Sequence, residues 1–168
     1  GLGSLVAGGN NFSGKTILLT NDVNMGGEDY LVDGKLQFYP IGYTSEGYKG
    51  AFSGIFDGQG HSVFNVYQNT WMLVGTYDGT YYNAAMGLFG YVYNGTVKNL
   101  TIDNFKSEGE FAPTGVVAAY AGGEEVTFEN ISITNSTPYT YNTFVGGVVG
   151  ADASDNVATT LNFNNITV

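Results

Sequence analysis

The chain has 168 residues, 43% of them hydrophobic, enough for one domain with a sizeable core. Its 15 acidic residues against 5 lysines leave a net charge of −10, which repels phosphate backbones and anionic lipid and argues against nucleic-acid or membrane-surface binding. No cysteine is present, so disulfides and thiolate metal sites are excluded, and no apolar stretch is long enough to span a bilayer.

In chain order, Leu2 to Ala7 is the one window with apolar residues at helical spacing. Beyond it glycines and asparagines punctuate the chain almost every ten residues, and apolar residues alternate with polar ones, which predicts strands. Residues 24–50 form a long loop carrying Tyr43 and Tyr48. Asp57-Gly58-Gln59-Gly60 reads as a turn in which the aspartate bonds local backbone N–H groups. Met72 to Tyr77 and Thr80 to Tyr82 flank Asp78-Gly79, a two-residue hairpin signal, so residues 67–86 predict a β-hairpin insertion. From Gly87 onward a glycine-flanked apolar run precedes an alternating phrase three times. The runs are Gly87-Leu88-Phe89-Gly90, Gly115-Val116-Val117-Ala118 and Gly147-Val148-Val149-Gly150. The phrases are Val97 to Ile102, Phe128 to Ile133 and Phe163 to Val168, with a degenerate copy at Val63 to Val66.

The asparagines of these phrases fall 34, 31 and 35 residues apart (65 to 99, 99 to 130, 130 to 165). A period in the tens of residues means a stack of like units, each burying its apolar face against the next. A propeller blade needs a longer repeat with its own signature, and a sandwich would not repeat. The pattern therefore predicts an all-β parallel β-helix of about four to five coils in one domain, 1–168. Val97, Phe128 and Phe163 then form one interior column, Leu100, Ile131 and Ile166 a second, and Ile102, Ile133 and Val168 a third. Asn99, Asn130 and Asn165 form an amide ladder at a bend. Six Asn-x-Ser/Thr sequons occur, three of them in this ladder, where they follow from the repeat rather than from glycosylation.

Several of these stretches resemble a bacterial surface family. Asn11 to Val23 is similar to its opening strand and Tyr39-Pro40-Ile41-Gly42 to its aromatic-x-Pro-Ile-Gly element. Phe52-Ser53-Gly54-Ile55-Phe56-Asp57-Gly58-Gln59-Gly60-His61-Ser62-Val63 resembles its Phe-Asp-Gly-x-Gly-His signature. Gly87 to Gly90 with Val97 to Ile102 resembles the GLUG repeat. The resemblance implies a right-handed parallel β-helix in a secreted or surface adhesin-like protein of gut bacteria, and covers nearly the whole chain. Residues 24–50 and 67–86 are longer than that pattern. Insertions on a solenoid tend to line one face, often the binding face.

Chemistry is sparse. β-Helices host lyases and hydrolases, but this chain has no arginine for a pectate-type base. Asp57 and His61, the only histidine, are the tempting pair, and both fall in the turn signature, which favours a structural role. Glu108 and Glu110, Glu124 and Glu125, and Asp152 and Asp155 are sequence neighbours on exposed turns, a poor source of two carboxyls facing each other across a cleft. No phosphate loop, EF-hand or nonapeptide calcium repeat appears, and no cofactor or metal is expected. The single Thr101, Ser132, Thr167 column lacks the regular double rows of an ice-binding face.

Aromatics remain. Trp71, Tyr77, Tyr81 and Tyr82 lie in the predicted hairpin, and Tyr139, Tyr141 and Phe144 in a later turn. Aromatic faces stack on sugar rings and dominate protein contacts; the same rings could instead close over the solenoid's flank or end. The reading is a non-catalytic, extracellular or cell-surface module. It would bind a host or dietary glycan or glycoprotein through Trp71, Tyr77, Tyr81, Tyr82, Tyr139 and Tyr141, without membrane insertion. The alternatives are a fragment of a polysaccharide-processing enzyme and a structural spacer. The opening at Gly1 and the close inside a strand phrase read as a piece of a longer surface protein with flanking domains.

Overall fold

The computed structural model describes residues 1–27, 31–32, 35–36, 40–42, 50–69, 85–152 and 158–168, with the backbone alone at 31–32 and 35–36. Helix α1 (Leu2–Ala7) precedes β1 (Thr16–Leu18), β2 (Val23–Asn24), β3 (Leu31–Val32), β4 (Lys35–Leu36), β5 (Ile55–Asp57) and β6 (Ser62–Asn69). There follow β7 (Phe89–Tyr93), β8 (Thr96–Glu108), β9 (Thr114–Gly115), β10 (Ala118–Gly122), β11 (Glu125–Thr134), β12 (Val145–Gly146), β13 (Val149–Asp152) and β14 (Thr160–Thr167).

The strands stack as a parallel β-solenoid. One sheet runs β1-β5-β8-β11-β14, with β2 and β6 stacked beside them on β8; a second runs β13-β10-β7, and a third pairs β12 with β9. Every pairing in these sheets is parallel, because each coil returns the chain to its starting side in the same direction. The long sheet has five rungs but the second only three, so a complete circuit is made about three times rather than four to five. Between β2 and β5, β3 and β4 form a small antiparallel hairpin that the sequence pattern did not announce.

The core follows the predicted columns. Phe56, Val97, Phe128 and Phe163 stand in register, as do Leu100, Ile131 and Ile166. Val97, Phe128, Leu100 and Ile131 are buried, each worth about 1.5–3 kcal/mol of transfer free energy. The Phe128 and Phe163 rings stack at 5.5 Å and 16°. At the first coils, Val6 of α1 is fully buried against the same core. On β14 nothing among the described residues lies above the column, and Phe163 is 48% exposed.

The amide ladder forms as expected. Asn165 Nδ2 donates to Asn130 Oδ1 at 2.9 Å, and Asn130 Nδ2 to Asn99 Oδ1 at 3.0 Å. All three residues hold left-handed backbone, φ 51° to 54°, which asparagine tolerates better than other side chains and which turns the strand at the bend. Asn65 does not belong to this column. Val63 pairs with Ile102 and Val66 with Phe105, so Asn65 sits on Asn104, whose Nδ2 donates to Asn65 Oδ1 at 2.8 Å. Asn65 in turn donates to Asn24 at 3.0 Å, making a second ladder. The cause is the Asp57–Gly60 turn: Asp57 pairs with Lys98 and Ser62 with Thr101, so this coil carries two residues more than the next, and the apparent 34-residue period is accidental.

The glycine runs are also shifted by one position. Gly115 pairs with Gly146, not Gly147. A Cβ on Gly115 would lie 2.2 Å from the Ala118 carbonyl oxygen, and one on Gly146 1.8 Å from that of Val149. The tight corner therefore needs glycine there, while Gly147 is only a neighbour of it. The strand β6 takes residues 67–69 out of the expected insertion, since Tyr67, Gln68 and Asn69 continue the ladder against Lys106, Ser107 and Glu108. Residues 70–84, and with them the expected Asp78-Gly79 turn, lie outside the described residues.

Candidate functional site

The segment Thr137–Tyr141 is held on the coil beneath it by backbone pairing. Thr137 N–H donates to Phe105 O (2.8 Å), Tyr141 N–H to Gly109 O (2.9 Å) and Phe111 N–H to Tyr141 O (2.9 Å). Ser107, itself buried, supplies one further link. Its Oγ accepts from Tyr139 N–H at 2.8 Å and donates to Tyr139 O at 3.0 Å, imitating a strand's peptide group with a single hydroxyl. Extended backbone alternates its side chains, so Thr140 turns inward and is buried while Tyr139 and Tyr141 both face solvent, 56% and 54% exposed.

Two more rings share this corner. Phe144 is 67% exposed, with its carbonyl accepting from Thr114 N–H at 3.0 Å. Phe111 stands on the rung next to Tyr141, through the bridge between Glu110 and Tyr141. Phe111 is 55% exposed and has φ 56°, a left-handed conformation that a bulky residue adopts at a cost of about 1–3 kcal/mol. Phe12 has the same conformation, φ 59°, but is buried, with its ring 6.2 Å from that of Phe52. Burial there offsets the strain. Phe111 has no such burial among the described residues. Sequence reasoning missed Phe111. The signal was the 31-residue spacing that sets Asn99 under Asn130 and, carried on, Phe111 beside Asn142.

Of the six predicted ligand-binding residues, the structure therefore places Tyr139 and Tyr141 together on an exposed corner. Trp71, Tyr77, Tyr81 and Tyr82 lie outside the described residues, as do Tyr43 and Tyr48 of the first long loop.

The acids with shifted acidity serve the scaffold. Asp57 Oδ1 accepts from Asn99 Nδ2 (3.0 Å) and Gln59 N–H (2.9 Å), ending the first amide ladder. These bonds, with Lys98 3.8 Å away, hold its carboxyl below the usual range. His61 turns away from Asp57: its Nδ1 lies 3.2 Å from Asp22 Oδ1, which also accepts from Ser62 N–H at 2.8 Å. The Ser62 N–H and then His61 hold Asp22 low. Asp103 is held low by Thr134 Oγ1 (2.7 Å) and Asn135 Nδ2 (2.8 Å). Burial pushes the Tyr91 phenol up. Among the described residues no cluster of three His, Asp or Glu could hold a metal ion, and no helix is long and apolar enough to cross a membrane.

Comparison with protein-family models, curated proteins and solved structures finds no match to this chain.

Proposed function

We propose that this solenoid is a non-catalytic, extracellular surface module that binds a glycan or glycoprotein through exposed aromatic rings. The observation that carries the reading is the corner built from Tyr139, Tyr141, Phe144 and Phe111. Four exposed rings sit on neighbouring rungs of a rigid stack, and one of them is held in strained backbone that packing does not repay. Rigid aromatics bury large area on binding at small entropic cost, which suits them to sugar faces and protein surfaces alike. Asp22, Asp57 and Asp103 are each already acceptors for neighbouring backbone or side-chain donors, which ties them to the scaffold. The resemblance of the Phe52 to Val63 stretch to adhesin-like surface proteins supports the binding reading.

A glycan array probed with the whole domain tests the reading. Tyr139→Ala and Tyr141→Ala should each weaken the strongest signals about tenfold, the effect of roughly 1.4 kcal/mol. Binding by neither array nor matrix proteins, or binding unchanged in both variants, would refute it.

A further inference from the structure

The bend that carries the first amide ladder also lines a groove of about 480 Å³ on the outside of the solenoid. Asn99, Asn130 and Asn165 form one wall, and Thr101, Ser132 and Thr167 the other. Leu100 and Ile131, almost fully buried, lie between them as floor. At one end the groove meets Gln59 and Gly60, where the two extra residues of the Asp57–Gly60 turn make a stop.

Three properties define what this groove takes. None of its lining residues carries a charge, in a chain with 15 acidic and 5 basic side chains. The Thr101, Ser132 and Thr167 hydroxyls have no hydrogen-bond partner among the described residues, so each offers a donor and two lone pairs. The ladder uses one lone pair on Asn130 Oδ1 and one on Asn99 Oδ1, leaving a second on each for an outside donor. Both rows repeat at the strand spacing of about 4.8 Å. A ligand that donates and accepts at every repeat, carries no charge and extends along the stack meets all three conditions. We propose that this groove binds a linear neutral glycan lengthwise, at a site separate from the Tyr139–Tyr141 corner, with the Asp57–Gly60 turn fixing where the chain stops.

The test uses the whole domain, isotope-labelled, titrated with glucan, xylan and mannan oligosaccharides of increasing length, with oligogalacturonate as the charged counterpart. A neutral series should move the side-chain amide signals of Asn99, Asn130 and Asn165. Its affinity should rise with length and level off at about three sugar rings, since three rungs span about 10 Å. Thr101→Val, Ser132→Ala and Thr167→Val keep the strand and remove the hydroxyls; each should weaken binding about 2- to 10-fold. Unchanged melting temperatures separate this loss from unfolding. The proposal is overturned by the absence of binding at millimolar concentration in all three series, by equal binding of oligogalacturonate, or by full affinity in the folded triple variant. Shifts confined to Tyr139, Tyr141 and Phe111 overturn it too while leaving the aromatic corner standing.

Discussion

Gln68 is the most informative side chain to remove. It is fully buried at the end of β6, and its amide does the work of a missing strand: Nε2 donates to Gly87 O at 2.9 Å and Oε1 accepts from Gly87 N–H at 2.7 Å. Gly87 packs tightly on the next coil, since a Cβ there would lie 2.4 Å from the Gly115 carbonyl oxygen. Gln68→Leu keeps the volume and orphans both peptide groups. Each buried, unpaired group costs about 1–3 kcal/mol, and burying an apolar side chain in place of an amide returns part of that. The net loss should be about 2–4 kcal/mol. At about 2–4 °C per kcal/mol for a domain of this size, the melting temperature should fall by about 4–16 °C. Thermal and urea unfolding of the two proteins measure it. A loss under about 1 kcal/mol would refute the reasoning, since Gly87 would then have found other partners or water.

Asn130→Ala should cost about 2–3 kcal/mol and Asn130→Gly about 1 kcal/mol less, because glycine keeps the left-handed φ of 51° while both variants lose the ladder bonds; urea midpoints rank them. Phe111→Asn should raise stability by about 1 kcal/mol, since Asn142 holds the corresponding place one coil up at φ 62°, and should weaken ligand binding in the same protein. Asp22, Asp57 and Asp103 all have folded pKa values below the unfolded value of 3.8, so the native state binds fewer protons there. Their contribution is present above that value and is lost as pH falls through the folded pKa values. Unfolding midpoints should therefore drop below about pH 4, and Asp103→Asn should make that drop shallower.

Much of the solenoid was legible in the sequence because the stack forces like residues onto like. Asn130 repeats the asparagine of the rung below, and Phe128 and Ile131 stand on the apolar Val97 and Leu100, so the alternation and the period announced them. Registers were legible where the alternating phrase itself returns intact, as from Asn99 to Asn130 and Asn165, although the coils there differ in length (31 and 35 residues). Asn65 falls in the degenerate copy of the phrase yet stacks on Asn104, because two extra residues at Asp57–Gly60 shift the count, and the Gly147 run lies one position past the register, in which Gly115 meets Gly146. Tyr139 and Tyr141 stood out as aromatics clustered with Phe144 in a turn, whereas Phe111 reads like any core phenylalanine of the neighbouring strands.

The sequence by itself determined that the chain is a parallel stack with aliphatic columns inside and asparagines at a bend, since repetition and alternation are local properties of the chain. The tertiary structure alone decided which asparagines meet, which glycines touch a carbonyl, and which aromatic rings stay in water. These depend on the length of each coil, and the two extra residues at Asp57–Gly60 are enough to move the pairing of Ser62 to Asn69 and with it the second amide ladder.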